Sequence, residues 1–184
     1  MHTVRPHRTS AAGFTLVELM ITLAVAVILI VIAIPSFEGI ILSNRLTTTA
    51  NDFVDALNTA RMEAVKLNAD TQFCSNSSSS NTTDTLGTAC GSNTGAVIAW
   101  TSGGTTQIQA AMTDISSPLQ LNGAITPVRF NGQGLGYVVG TSTPFTGTVA
   151  DICTSNLSNN NHVVISVAAG GSVVSTSTST GTCP

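Results

Sequence analysis

Residues 14–37 form an apolar run interrupted before Pro35 by one ionisable side chain, Glu18, and this constrains the chain more than any other feature. At about 1.5 Å of rise per helical residue the run is long enough to cross the roughly 30 Å of bilayer hydrocarbon. A helix that is apolar all round has to be covered on all sides, by lipid or by other helices. An ionised carboxylate costs on the order of 2.5 to 3.5 kcal/mol at the centre of a membrane and less near its surface, so Glu18 implies a cationic partner.

Such a partner arises if the chain is cut after Gly13. The new α-amine of Phe14 then lies one helical turn from Glu18 and is charged near neutral pH, so amine and carboxylate neutralise each other within one chain or between neighbours. The segment lost, residues 1–13, carries Arg5, Arg8, His2 and His7 ahead of Ala11, Ala12 and Gly13, and it has no apolar stretch of its own. An ordinary secretory signal discards its apolar stretch with the leader; here the apolar helix stays with the product.

A short basic leader, Gly13, the string Phe14-Thr15-Leu16-Val17-Glu18 and an apolar run reaching Pro35 resemble the class III signal of bacterial type IV prepilins and type II secretion pseudopilins. The resemblance implies that prepilin peptidase, a membrane enzyme, cuts after Gly13 and N-methylates Phe14. It also implies that Glu18 sets register as subunits enter a helical filament through their N-terminal helices, supported by an inner membrane platform. Pro35 matches a proline common in the type IV pilin anchor.

Beyond residue 37 enough chain remains for one globular domain. The formal charge is -3, and loss of Arg5 and Arg8 takes the six bases to four, Arg45, Arg61, Lys66 and Arg129, against nine acids, or -5. After Lys66 the only base is Arg129, facing Asp70, Asp84, Asp114 and Asp151. Nucleic acid binding rests on clustered Lys and Arg meeting phosphates, so no nucleic acid partner is expected. All four cysteines, Cys74, Cys90, Cys153 and Cys183, follow the anchor, which suits an oxidising compartment. Basic leader residues stay cytoplasmic, which agrees with an inner membrane protein whose single span leaves the C-terminal portion in the periplasm. Four cysteines permit three pairings and the sequence does not choose among them. We expect Cys74 with Cys90 and Cys153 with Cys183, because each pair closes a short Ser/Thr/Gly-rich loop, a closure worth roughly 3 kcal/mol in the chain-entropy view. A zinc site is disfavoured: there is no C-x-x-C, and His162 is the only histidine outside the leader.

Past Pro35 the pattern changes. Leu42, Leu46, Ala50, Phe53, Leu57, Ala60, Ala64 and Leu67 recur at three or four residues with polar side chains between them, which predicts an amphipathic helix lying against its own domain. Pro35 cannot donate to the carbonyl four residues back and Gly39 adds backbone freedom, so the junction is expected to kink or locally melt. Short apolar stretches at 71–74, 96–101, 107–112, 125–130, 136–139, 149–153, 163–168 and 173–177 read as strands between Gly, Asn, Ser and Thr-rich gaps. The polar tracts 75–83 and 175–182 are expected to be exposed loops. The division is therefore a leader at 1–13, a transmembrane assembly helix at 14–37, its amphipathic half at 38–70 and a β-rich antiparallel domain at 71–184. The fold class is α+β, and the prepilin resemblance implies a type IV pilin-like fold.

Pro35-Ser36-Phe37, Ser43-Asn44-Arg45-Leu46, Ala60-Arg61-Met62-Glu63-Ala64-Val65-Lys66 and Phe73-Cys74 are similar to the GspH/FimT group of minor pilins and H-type pseudopilins, with Met62 in place of the usual serine. The likeness is close over residues 13–74 and general beyond them. Arg61, Glu63 and Lys66 read as a solvated helix face. No nucleophile elbow, Gly-rich phosphate loop or metal-ligand spacing is present, and His162 beside Val163 and Val164 reads as a strand-edge residue, so neither an enzyme nor a cofactor is expected. The function implied is a minor pilin of the initiating or tip complex of a type IV pilus. The alternative is an H-type pseudopilin of type II secretion. A DNA-uptake role known for some FimT-like proteins is disfavoured, because the tail corresponding to their basic motif, residues 168–173, has no arginine.

Overall fold

The computed structural model describes residues 13–113, 115–168, 170–171 and 173–184, with the backbone alone at 33–36. Of the leader only Gly13 is among them; Asp114 and the side chain of Pro35 also lie outside the described residues. The chain divides into two compact units, Met1–Ile40 and Ile41–Pro184. One helix, α1 (Leu16–Leu67), runs without a break from the first into the second. Positions 35 and 39, where the sequence leads one to expect a kink or local melting, lie within this helix.

Within the second unit the amphipathic spacing of α1 does what it predicts. Leu46, Ala50, Phe53, Ala56, Leu57, Ala60 and Ala64 are buried in one stripe, which fades to a half-buried Leu42 at one end and an exposed Leu67 at the other. Alanine side chains let the neighbouring strand come close, and the Thr71 hydroxyl donates to the Ala60 carbonyl at 2.7 Å. The rings of Phe53 and Phe73 meet edge to face with centroids 6.0 Å apart, a contact worth about 0.5 to 1.5 kcal/mol beyond the area it buries. Asn68 stops the helix. Its φ of 47° is left-handed, and the amides of Asn68 and Ala69 bond back to the carbonyls of Val65 and Ala64 in a Schellman turn.

The strands are β1 (Thr71–Phe73), β2 (Val97–Thr101), β3 (Gly104–Gln109), β4 (Gln120–Leu121), β5 (Val128–Phe130), β6 (Gly136–Val138), β7 (Gly147–Cys153), β8 (His162–Ala168) and β9 (Val173–Ser179). They form a five-stranded sheet in the order β3-β2-β1-β5-β6 and a four-stranded sheet in the order β4-β7-β8-β9, antiparallel throughout. Phe73, Val97, Val128 and Phe130 of the first sheet join Val149, Ile152, Val163, Ile165 and Val167 of the second and the α1 stripe in one core. This is the expected α+β, type IV pilin-like arrangement of a long helix on antiparallel sheets.

Five details depart from the sequence reading. β3 begins at Gly104, because residues 102 and 103 already form a tight turn after β2. β4 was not foreseen; its two residues are too few for any periodicity. The tract 75–83 is not simply exposed: it contains a 3-10 helix (Ser78–Asn81), and Ser75 and Asn81 are fully buried. A short helix, α2 (Thr85–Cys90), follows, with the Asp84 side chain capping it by accepting from the Gly87 amide. The tract 175–182 is exposed, but most of it is strand β9.

Candidate functional site

The first turn of α1 is built by Thr15. Its hydroxyl accepts from the backbone N–H of Glu18 at 3.2 Å and its carbonyl accepts from the Leu19 amide. Thr15 is therefore the N-cap and Glu18 the third helical residue, the spacing of a capping box. The string T-x-x-E announces this cap in the sequence, a signal that the reading of the segment as an anchor passes over. A carboxylate in the first turn also faces the positive end of the helix dipole. Phe14 precedes the cap and is 79% exposed.

From Leu16 to Ile32 the large apolar side chains of α1 are exposed on every face. The most apolar window has a mean hydropathy of 3.0, and none of it is buried by the rest of the described chain. Water does not tolerate such a surface, so its cover is lipid or other helices. Gly13, Phe14 and Glu18 thus lie together at the N-terminal end of this uncovered helix, whereas positions 35 and 39 lie near its far end.

In the second unit two sets of titratable side chains are engaged by the fold, Asp84 with Arg129 and Asp151 with His162. Arg129, on β5, holds Asp84 through two hydrogen bonds, Nη1 to Oδ2 at 2.6 Å and Nη2 to Oδ1 at 3.0 Å, and Nη2 also donates to Gln72. The Arg129 hydrogen bond, with help from the Gly87 amide, holds the Asp84 carboxyl at about 2, below its ordinary 3.8, against a smaller opposing effect of burial. The last base in the sequence is therefore a structural clamp between β5, β1 and the start of α2.

His162 is not a strand-edge residue. It opens β8, a strand flanked by β7 and β9, and is 4% exposed. Its Nδ1 is 3.0 Å from an Asp151 oxygen, and Asp151 also accepts from Asn122 at 2.8 Å. Its Nε2 is buried without a hydrogen-bond partner, so close to the backbone that a methyl group at Gly181 would lie 3.2 Å away. No serine or threonine hydroxyl bonds to the His162 ring among the described contacts, and the pair fastens strands rather than facing a cleft. Trp100, on β2, is a partly exposed strand residue, 44% accessible.

All four cysteines are in disulfides, Cys74 with Cys90 and Cys153 with Cys183. The first closes the segment holding the 3-10 helix and α2. The second fixes residues 180–183 beside β8, where Asn161 exchanges two hydrogen bonds with the backbone of Gly181. No group of three or more His, Cys, Asp or Glu side chains able to hold a metal occurs among the described residues. The N-x-[ST] asparagines at 76 and 81 are committed to the fold: Asn76 accepts from the Ile125 amide, and Asn81 bonds to the backbone of Ser75, Ser77 and Gly91.

Two family models match the chain. One, described as type II transport protein GspH, covers residues 49–171. The other, described as a prokaryotic N-terminal methylation motif, covers residues 8–34. No curated protein and no solved structure matches.

Proposed function

The chain belongs to the GspH family of type IV pilin-like structural subunits, whose model spans well over half of it, and from that premise we propose that it is a minor pilin of a type IV pilus, active in the initiating or tip complex. The observation that carries the reading is the uncovered apolar helix whose capped first turn bears Glu18. Prepilin peptidase cuts after Gly13 and methylates the Phe14 amine, and the processed subunit waits in the inner membrane with residues 38–184 in the periplasm. Two disulfides support an oxidising compartment for that part. On the membrane platform the helix exchanges lipid for the helices of other pilins. In that apolar surrounding the freed amine neutralises Glu18 of the same subunit or, when the helices are in register, of an adjacent one. Pro35, with no amide hydrogen, and Gly39 give α1 a place to kink as it packs.

A second reading, an H-type pseudopilin of type II secretion, is favoured by the printed description of the matching family. The pilus is preferred because the long Ser/Thr-rich, disulfide-tied tail resembles pilin-type decoration more than a minimal secretion subunit. DNA capture is not proposed: Arg129 is held by Asp84 and Gln72.

Glu18→Ala tests the mechanism. We expect the variant to be cut normally and to be present in the membrane, yet to be lost from sheared filaments by about tenfold or more, since removing one charge of a buried pair costs on the order of 3 to 5 kcal/mol. Incorporation equal to wild type would remove Glu18 from the mechanism. Deleting the neighbouring secretion or pilus genes in turn, with filament recovery as the readout, decides between the two apparatuses.

A further inference from the structure

The two sheets leave four strands at their edges, and three of the four are guarded. β4 has two residues; β6 has three and is bridged at Tyr137 by Pro144; β3 meets β2 across a register shift at Val97 and Ile98. Short strands, prolines and bulges keep an open row of backbone donors and acceptors from pairing with another chain. β9 has none of these. All seven residues pair with β8 in unbroken register, from Val173 opposite Ala168 to Ser179 opposite His162. Its sequence, Val-Val-Ser-Thr-Ser-Thr-Ser, contains no charge, proline or glycine, and no strand flanks its outer side among the described residues. It also lies beyond residue 171, where the match to the family model ends.

We propose that β9 is where two copies of this chain meet, each β9 adding antiparallel to the other so that the four-stranded sheet continues across a two-fold axis. The strand's own pattern selects the occupant. Serines and threonines alternate along it, and an antiparallel pair centred on Thr176 sets Thr176 against its copy, Ser175 against Ser177 and Val174 against Thr178. Hydroxyl and β-branched residues are favourable cross-strand neighbours; at the centre hydroxyl meets hydroxyl, and at the ends Val173 and Val174 meet Ser179 and Thr178. No charge repels the strand from its copy, as a lysine would on a protected edge. Val174 already packs against the core, which holds the strand in place for a partner. The contact uses no residue of α1 and is independent of filament entry through Glu18.

Hydrogen exchange on the full chain in detergent, resolved to the β9 amides and followed over protein concentration, tests the pairing. The amides on the side of β9 away from β8 are expected to slow by about tenfold or more between dilute and concentrated samples, while β7 and β8 stay unchanged. The variants S175K/S177K and S175E/S177E are each expected to lose that concentration dependence alone and to recover it when mixed, because lysine then faces glutamate. Native protection of β7 and β8 checks their folding, and if a variant does not fold the wild-type exchange decides alone. Exchange at β9 that is flat with concentration, protection kept by both charged variants, or protection that requires a different subunit overturns the proposal. Glu18→Ala should leave β9 protection unchanged; its loss in that variant would assign the contact to α1 and overturn the pairing equally.

Discussion

Single side chains do two kinds of work here. Glu18 places a carboxyl group in an apolar helix, whereas Asp84 uses its charge inside the folded unit, capping α2 and holding Arg129. The carboxyl of Asp84 sits at about 2 in the fold against an ordinary 3.8. A depressed pKa contributes stability that is fully present above the unfolded value and disappears as pH falls through the folded one. The contribution of Asp84 is therefore present above about pH 4 and lost between about 4 and 2. Because the carboxylate is well exposed to solvent, about 1 kcal/mol is the scale after screening. Asp84→Asn keeps a capping oxygen and removes the charge. Its denaturant midpoint is expected to fall less steeply than wild type between pH 4 and 2, and parallel curves for the two proteins would show that the pair adds nothing to stability.

At the scale of elements, legibility followed apolar surface. The buried stripe of α1 and the strands β1, β2 and β5 to β9 all carry apolar residues at a regular spacing, and all lie where that spacing places them, within a few residues. The 3-10 helix and α2 were missed because hydrogen bonds hold them as much as apolar packing does. Asn81 is buried through bonds to Ser75, Ser77 and Gly91 that no periodicity announces. Gly87, which reads as a helix breaker, is needed inside α2 because a Cβ there would lie 1.8 Å from the Asn81 carbonyl oxygen. At the N-terminus the motif Gly13-Phe14 and Glu18 was legible as a string, but the Thr15 cap was hidden within it. The disulfide that fixes the last segment gives a prediction at this scale. Replacing Cys153 and Cys183 by serine opens a closure of 30 residues, expected to lower unfolding free energy by about 3 to 4 kcal/mol in the chain-entropy view. Urea titration of the full chain in detergent measures it, and an unchanged midpoint would mean that hydrogen bonds such as those of Asn160 and Asn161 suffice to hold residues 180–183 against β8.

For the molecule as a whole, α1 serves two solvents. Its first half is apolar on every face and its second half buries one stripe in a water-facing unit. The proposed passage from leader-bearing precursor to filament subunit turns on the bond after Gly13, where no atom of the described residues would crowd a larger side chain. Gly13→Leu is expected to leave the membrane-inserted protein uncut, seen as a band heavier by the leader, with filament incorporation reduced to background. Normal cleavage of that variant would place the cut elsewhere.

Neither disulfide reaches α1; they close residues 74–90 and 153–183. Apart from the chain's own link into β1, the helix is therefore held to the sheets by noncovalent contacts, among them the alanine-rich seam and the bonds from Arg45 to Ser116 and from Thr71 to Ala60. Under mechanical load the helix would peel from the sheets while both cystine loops stayed closed, so oxidation protects the outer lobes of the unit and leaves its grip on the helix to packing.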